Sequence, residues 1–344
     1  MKKYLALLLA AMMVLGLAAG CGNDEAGGNT GKTIKVGMVT DVGGVNDKSF
    51  NQTSWEGLQA LQAENKNIQV KYLESKTDAD YQGNIDTFID EEYDLIICVG
   101  YMLAGATKEA ALANPDQKFA IIDDSTIDLP NVACLMFAQN EASYLVGMVA
   151  GMMTESNTVG YVQGMFSDSM NMFAVGYIAG VKAVNPDAEI LQYNANSFGD
   201  AAVGSMAATD MITNGADVIY HAAGGTGSGV IEACKQNGIW AIGVDSDQSP
   251  LAPENVITSA MKRVDTAVQD ISKDVAEGKF EAGVHMYDLT NEGVGIAPTQ
   301  TLLPEEVINA VNEAMKKVEA GEIDVPSTVA ELESQYPGAF TLSE

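Results

Sequence analysis

The chain has 344 residues, 47% of them hydrophobic, and a formal net charge of −29, with 47 Asp and Glu against 18 Lys and Arg. That balance argues against a nucleic-acid partner, because phosphate binding needs a basic surface. The one arginine, Arg263, leaves few of the planar guanidinium groups that usually grip carboxylates and phosphates. With two histidines, His221 and His285, and four cysteines lacking a C-x-x-C pair, no metal site is expected.

The first segment reads as an address. Lys2 and Lys3 precede an apolar run from Tyr4 to Leu17, and Ala18-Ala19-Gly20-Cys21 follows. A spanning helix needs about 20 apolar residues for ~30 Å of hydrocarbon. This run is shorter and ends in small residues before a cysteine, the pattern of a signal peptide over residues 1–20 with a lipobox. Cys21 is therefore expected to carry lipid and anchor the chain at the extracytoplasmic face of a membrane. Residues 21–31, polar and glycine-rich, read as a flexible tether.

From Lys32 onward, short β-branched runs alternate with helical stripes, which predicts an α/β fold with parallel sheets. Strands are expected at Thr33 to Thr40, Ile68 to Leu73, Leu95 to Val99, Lys118 to Ile122 and Val132 to Phe137. A helix from about Ser49 to Asn65 follows the first, and Tyr81, Ile85, Phe88 and Ile89 mark another. The pattern restarts after a helix beginning near Asn140. Strands are read at Thr158 to Val162, Glu189 to Tyr193, Val218 to His221, Trp240 to Val244 and Val256 to Met261, with helices between and a last one from about Arg263 to Glu277. Two such series imply two doubly wound lobes joined by a hinge. The expected division is 32–139 plus 263–282 for lobe 1 and 140–262 plus 283–344 for lobe 2, with crossings near Asn140, Lys262 and Gly283. Cys98, Cys134 and Cys234 look like small buried hydrophobes, although a Cys98–Cys134 disulfide stays open.

In open α/β sheets ligands bind beyond the carboxyl ends of the strands. Asp41, the pair Asp123 and Asp124, and Asp245 each follow such an end. Any one of them reads equally well as a turn or helix cap; the repeated position favours a shared polar cleft. Phe50 and Asn51 open the helix after the first strand, and Phe198 occupies the matching loop of the second series. Two rings on opposing lobes would sandwich a flat heterocycle, while core packing is the alternative for Phe50. Carboxylates accept hydrogen bonds from ribose hydroxyls or a purine N–H. Lys262 would donate to a sugar oxygen or neutralise a carboxylate, unless it is a plain surface lysine. The run Ala222 to Gly229 lacks the Gly-Lys-Ser/Thr ending of a phosphate loop. It is a tight turn or, with Gly225, a source of backbone N–H groups near the sugar. No G-x-S-x-G elbow is present and neither histidine has an evident nucleophile partner, so no enzyme is expected and no cofactor is implied.

At these residues the sequence resembles the basic membrane protein family, the substrate-binding lipoproteins of ABC importers. The matching stretches are Thr40-Asp41 through Gln52, Phe137 through Gly151, Gly176 through Pro186, Ser197-Phe198, Asn214 through Ile219 and Gly243 through Asp247. The resemblance implies a periplasmic binding protein type I fold that closes on a purine nucleoside, with permease and ATPase subunits as partners. It assigns Asp41 and Asp245 to ribose with help from Lys262, Asp123 to the base, and Phe50 and Phe198 to stacking, with Asn51 nearby. Riboflavin or a sugar is the alternative cargo. A nucleoside-cleaving enzyme and a sensor feeding a membrane kinase are the readings from other classes.

Overall fold

A computed structural model describes residues 32–343. The signal peptide, Cys21 and the tether lie outside the described residues. The first sheet contains β1 (Ile34–Val39), β2 (Ile68–Leu73), β3 (Leu95–Cys98), β4 (Lys118–Ile122), β5 (Val132–Phe137) and β11 (Gly283–Tyr287), in the order β11-β5-β4-β3-β1-β2. Every neighbouring pair in it is parallel. The second contains β6 (Thr158–Gln163), β7 (Glu189–Asn194), β8 (Val218–Ala222), β9 (Trp240–Asp245), β10 (Val256–Lys262) and β12 (Val294–Ile296), in the order β12-β10-β9-β8-β6-β7. Here only β12 is antiparallel, to β10.

Helices α1 (Phe50–Glu64), α2 (Asp80–Asp90), α3 (Ala104–Ala113) and α8 (Val264–Glu277) cover the first sheet. The second carries α4 (Gln139–Met153), α5 (Asp168–Val184), α6 (Ala201–Thr213), α7 (Gly224–Asn237), α9 (Glu305–Glu319) and α10 (Val329–Gln335). Strands such as β3 and β8 are buried throughout, as expected where helices cover both faces of a parallel sheet. The α4–α5 contact explains a spacing in the sequence. Gly176 and Gly180 stand one turn apart on α5, and a Cβ at either would come within 2.1 Å of the carbonyl of Asn140 or 2.0 Å of that of Tyr144. Only hydrogen lets the two backbones approach so closely.

The chain passes between the sheets at Ala138, at Arg263 and between Tyr287 and Val294. The third passage corrects the sequence reading, which put it near Gly283. Residues 283–287 form β11 and pair with β5 from Gly283↔Ala133 to Tyr287↔Phe137, so they belong to the first sheet. The turn signal at Gly283, where φ is +94°, begins that strand instead of ending a lobe. The passages are laced together: Ala138 N–H donates to Tyr287 O at 2.8 Å, and Arg263 N–H to Gly293 O at 2.9 Å.

Cys98, Cys134 and Cys234 are buried and free. Cys98 and Cys134 flank Ile121 in one row of the sheet. Two strand spacings separate them by roughly 10 Å, beyond the ~7 Å reach of a disulfide. Among the described residues no helix is long and apolar enough to cross a membrane.

A closed cleft between the two sheets

The carboxyl ends of the two sheets face one another across a narrow cleft with about 40 Å³ of free volume. Asp41, Phe50, Asn51 and Asp123 line it from the first lobe, and Phe198, Asp245 and Lys262 from the second. Gly225 does not line it. Gly224 holds that place with φ +53°, while a Cβ on Gly225 would stand 3.2 Å from Phe198 O and 3.8 Å from Asp47 Cα, so this glycine is a spacer between the lobes. Sequence reasoning also passed over Asp47, Tyr101, Met170 and Phe173, which line the cleft too. Asp47 had a signal in the Asp-x-x-x-Asn spacing to Asn51 at a helix start. Met170 and Phe173 sit at i and i+3 on α5 and look like an ordinary core stripe.

Asp47 acts as the cap of α1. Its carboxylate accepts from the backbone N–H of Ser49 at 2.9 Å, Asn51 at 2.9 Å and Gln52 at 3.1 Å, satisfying orphan donors of the first turn. The Asn51 amide then bridges two acids, donating to Asp41 Oδ1 at 2.8 Å and Asp47 Oδ2 at 3.1 Å. Asp41 Oδ1 also accepts from Gly43 N–H at 2.8 Å. Much of the donor capacity of Asn51 is thus spent orienting carboxylates.

Lys262, 2% exposed, emerges from the end of β10 and crosses to the first lobe. Its Nζ donates to Asp123 Oδ1 at 2.7 Å and Oδ2 at 2.5 Å. Phe50, Phe137 and Phe173 surround the ammonium with ring centroids at 4.9, 5.1 and 5.4 Å, close enough for cation–π attraction. A second link runs the other way, from the Ser49 hydroxyl to Asp245 Oδ2. Asp123 and Asp245 both adopt left-handed backbone, with φ +68° and +66°, a conformation non-glycine residues hold only when their surroundings enforce it. Phe198 is fixed from behind by Gly164, whose hypothetical Cβ would lie 2.4 Å from the ring.

Four buried acids, Asp41, Asp47, Asp123 and Asp245, share this space with one lysine. Burial pushes the Asp41 carboxyl up to about 6 against the hydrogen bonds from Asn51 and Gly43. It pushes Asp245 to about 7, opposed by the charge of Lys262 and the Ser49 hydroxyl. Asp47 is also raised by burial, although three backbone donors pull the other way. The cleft is therefore rich in acceptors and poor in positive charge, suited to a neutral ligand that brings its own N–H and O–H donors.

Two α/β lobes with their strand ends meeting at a buried pocket define a solute-binding protein of the periplasmic binding protein type I class. The solute-binding protein from Aeropyrum pernix superposes with TM-score 0.80 at 27% identity, over 88% of this chain and 96% of that one. The family described as "ABC transporter substrate-binding protein PnrA-like" matches residues 34–329, and the chain belongs to it. Relatives include the CD4+ T-cell-stimulating antigen of Listeria innocua, 40% identical over 94% of this chain and 97% of its own. The ABC transporter nucleoside-binding protein BmpA of Lactococcus lactis is 37% identical over 95% and 99%. Basic membrane protein A of Borreliella burgdorferi is 35% identical over 87% and 90%. The chain is thus an extracytoplasmic substrate-binding protein of an ABC transporter.

Proposed function

We propose that this receptor captures a purine nucleoside, with guanosine, inosine and adenosine the first candidates, and delivers it unaltered to the permease and ATPase of an importer. The observation that carries the reading is the pairing of Phe50 and Phe198 from opposite lobes in one cleft with buried carboxylates. A purine between the rings gains ~1–3 kcal/mol per stacked face. Ribose hydroxyls donate to Asp41 and Asp245. Asp123 accepts from the base, and Lys262 shares its charge between Asp123 and a sugar oxygen. The relative from Lactococcus lactis is named as nucleoside-binding, and one from Pyrococcus horikoshii as a lipoprotein. Lipidation at Cys21 fits the latter and would hold the receptor beside its transporter.

The test is thermal unfolding of residues 22–344 against nucleosides, free bases, riboflavin and sugars. A ligand at 100 times its Kd adds about 2.7 kcal/mol of stability, so nucleosides should raise the midpoint clearly. A shift with riboflavin or ribose and none with any nucleoside would overturn the cargo assignment. Chromatography of the nucleoside after long incubation checks the receptor role, since free base would appear only if the chain cleaved it.

A further inference from the structure

We infer that Gln248, which does not touch the ligand cleft, sets the affinity of this receptor by clasping the lobes in the closed state. Gln248 lies in the loop after β9 and is 2% exposed. Its backbone N–H donates to Ser259 Oγ on β10 at 3.1 Å. Its side chain uses both ends. Oε1 meets Val244 N–H and His221 Nε2, each at 3.0 Å, and Nε2 donates to the carbonyl of Lys48 at 2.9 Å. Lys48 belongs to the other lobe.

The orientation of that amide is dictated by chemistry. Val244 N–H can only donate, so the atom it meets is the oxygen. His221 shares this oxygen and must carry its hydrogen on Nε2. The imidazole is held in place because Gly227 leaves no room for a side chain, a Cβ there falling 2.0 Å from His221 Nδ1. His221 is fully buried, and burial brings it down to about 4 and keeps it neutral. With both acceptor contacts taken inside the second lobe, the Gln248 N–H faces Lys48 O across the divide.

Lys48 is held at φ +58°, and the next residue, Ser49, makes the cross-lobe bond to Asp245. One dipeptide thus contributes two adjacent links. The Ser49 link ends on a residue of the cleft; the Gln248 link does not. Opening the lobes would return Lys48 O and the Gln248 amide to water, so the bond exists only when the trap is shut. Gln248 is a positioning residue: it acts on the ligand through the closed population.

Gln248→Glu isolates this role. The carboxylate keeps an oxygen for Val244 and His221 but turns a second oxygen toward the Lys48 carbonyl, which repels it. Protonating that glutamate restores a donor. The titratable and charged side chains on the elements around it are His221 from β8, Asp245 at the end of β9, Asp247 from the same loop, and Asp47 and Lys48 from the first lobe, and these are present in the wild type too. The inference rests on the receptor reading but not on one cargo, so the measurement uses whichever of guanosine, riboflavin or ribose the wild type binds. Failure of guanosine alone would reject only the cargo assignment. At pH 8 the variant should bind more than tenfold more weakly, with the loss in the dissociation rate and association within about threefold of wild type. At pH 5.5 its deficit relative to wild type should shrink severalfold. Wild-type dissociation at pH 8, or a deficit of the same size at both pH values, would overturn the clasp. Gln248→Met, which removes all three side-chain bonds at similar volume, serves if the glutamate variant does not fold. It should show fast dissociation at both pH values, and wild-type dissociation from it would equally overturn the inference.

Discussion

Replacing Lys262 by methionine keeps a long unbranched side chain but leaves Asp123 alone in a buried site. The ammonium donates to both oxygens of Asp123, at 2.7 and 2.5 Å, with three aromatic rings around it. Breaking a buried pair by removing one partner costs about 3–5 kcal/mol, and the lost cation–π contacts add roughly 0.5–2 kcal/mol. At about 2–4 °C per kcal/mol, Lys262→Met should lower Tm by on the order of 10 °C at pH 8. Differential scanning calorimetry measures this, and ligand affinity should fall by more than tenfold. A double variant, Lys262→Met with Asp123→Leu, separates the roles: stability should return to near wild type, because apolar replacement of a buried pair is often neutral, while binding stays lost. A Lys262→Met protein melting within 2 °C of wild type would refute the view that this pair joins the lobes.

Other outcomes are as specific. Gly164→Ala places a methyl 2.4 Å from the Phe198 ring, and overpacking of this kind costs about 1–3 kcal/mol; displacing the ring should weaken ligand binding by tenfold or more in calorimetric titration, with little change in far-ultraviolet circular dichroism. Phe50→Ala should weaken binding by at least tenfold in the same assay; unchanged affinity would remove Phe50 from the stacking pair. Asp245 is held near 7 in the folded protein against an ordinary 3.8. The native state therefore binds the extra proton between those values, and this group's contribution to stability falls as pH rises through that window. Ligand-free Asp245→Asn should accordingly be more stable than wild type at pH 8, by a few kcal/mol at ~1.4 kcal/mol per unit, with the advantage fading toward pH 4; equal unfolding midpoints at pH 8 would contradict the burial argument.

The two-lobe α/β plan was legible because central strands such as β3 and β4 are short apolar runs and helices such as α2 carry their own apolar stripe. What escaped was what depends on partners distant in sequence. β11 reads Gly-Val-His-Met-Tyr with Val284 58% and Met286 50% exposed, a mixed edge pattern that periodicity alone does not mark as a strand. That is why the third passage was placed early. In the cleft, strand-end aspartates and the first residues of α1 were readable, since position after a strand is local information. The Lys262–Asp123 pair spans 139 positions and needed the fold. Gly224 and not Gly225 lines the cleft, and the sequence shows a glycine-rich turn without showing which glycine faces the cavity. Asn51 was read as a ligand contact, and nothing in the sequence says that its amide is already engaged by Asp41 and Asp47.

The three passages between the lobes are not independent cords. Ala138 is tied to Tyr287 and Arg263 to Gly293 by backbone hydrogen bonds, and the strands that feed them lie side by side, β5 beside β11 and β10 beside β12. Such a laced ribbon behaves like a leaf spring: it yields to bending across its width and resists shear and twist, because sliding one strand past another would break the ties. Each lobe would then be steered along a single angular coordinate. Phe50 and Phe198 would meet a flat ligand face-on, and Gln248 would arrive at Lys48 at the end of the same arc, so occupancy would be converted into one angle.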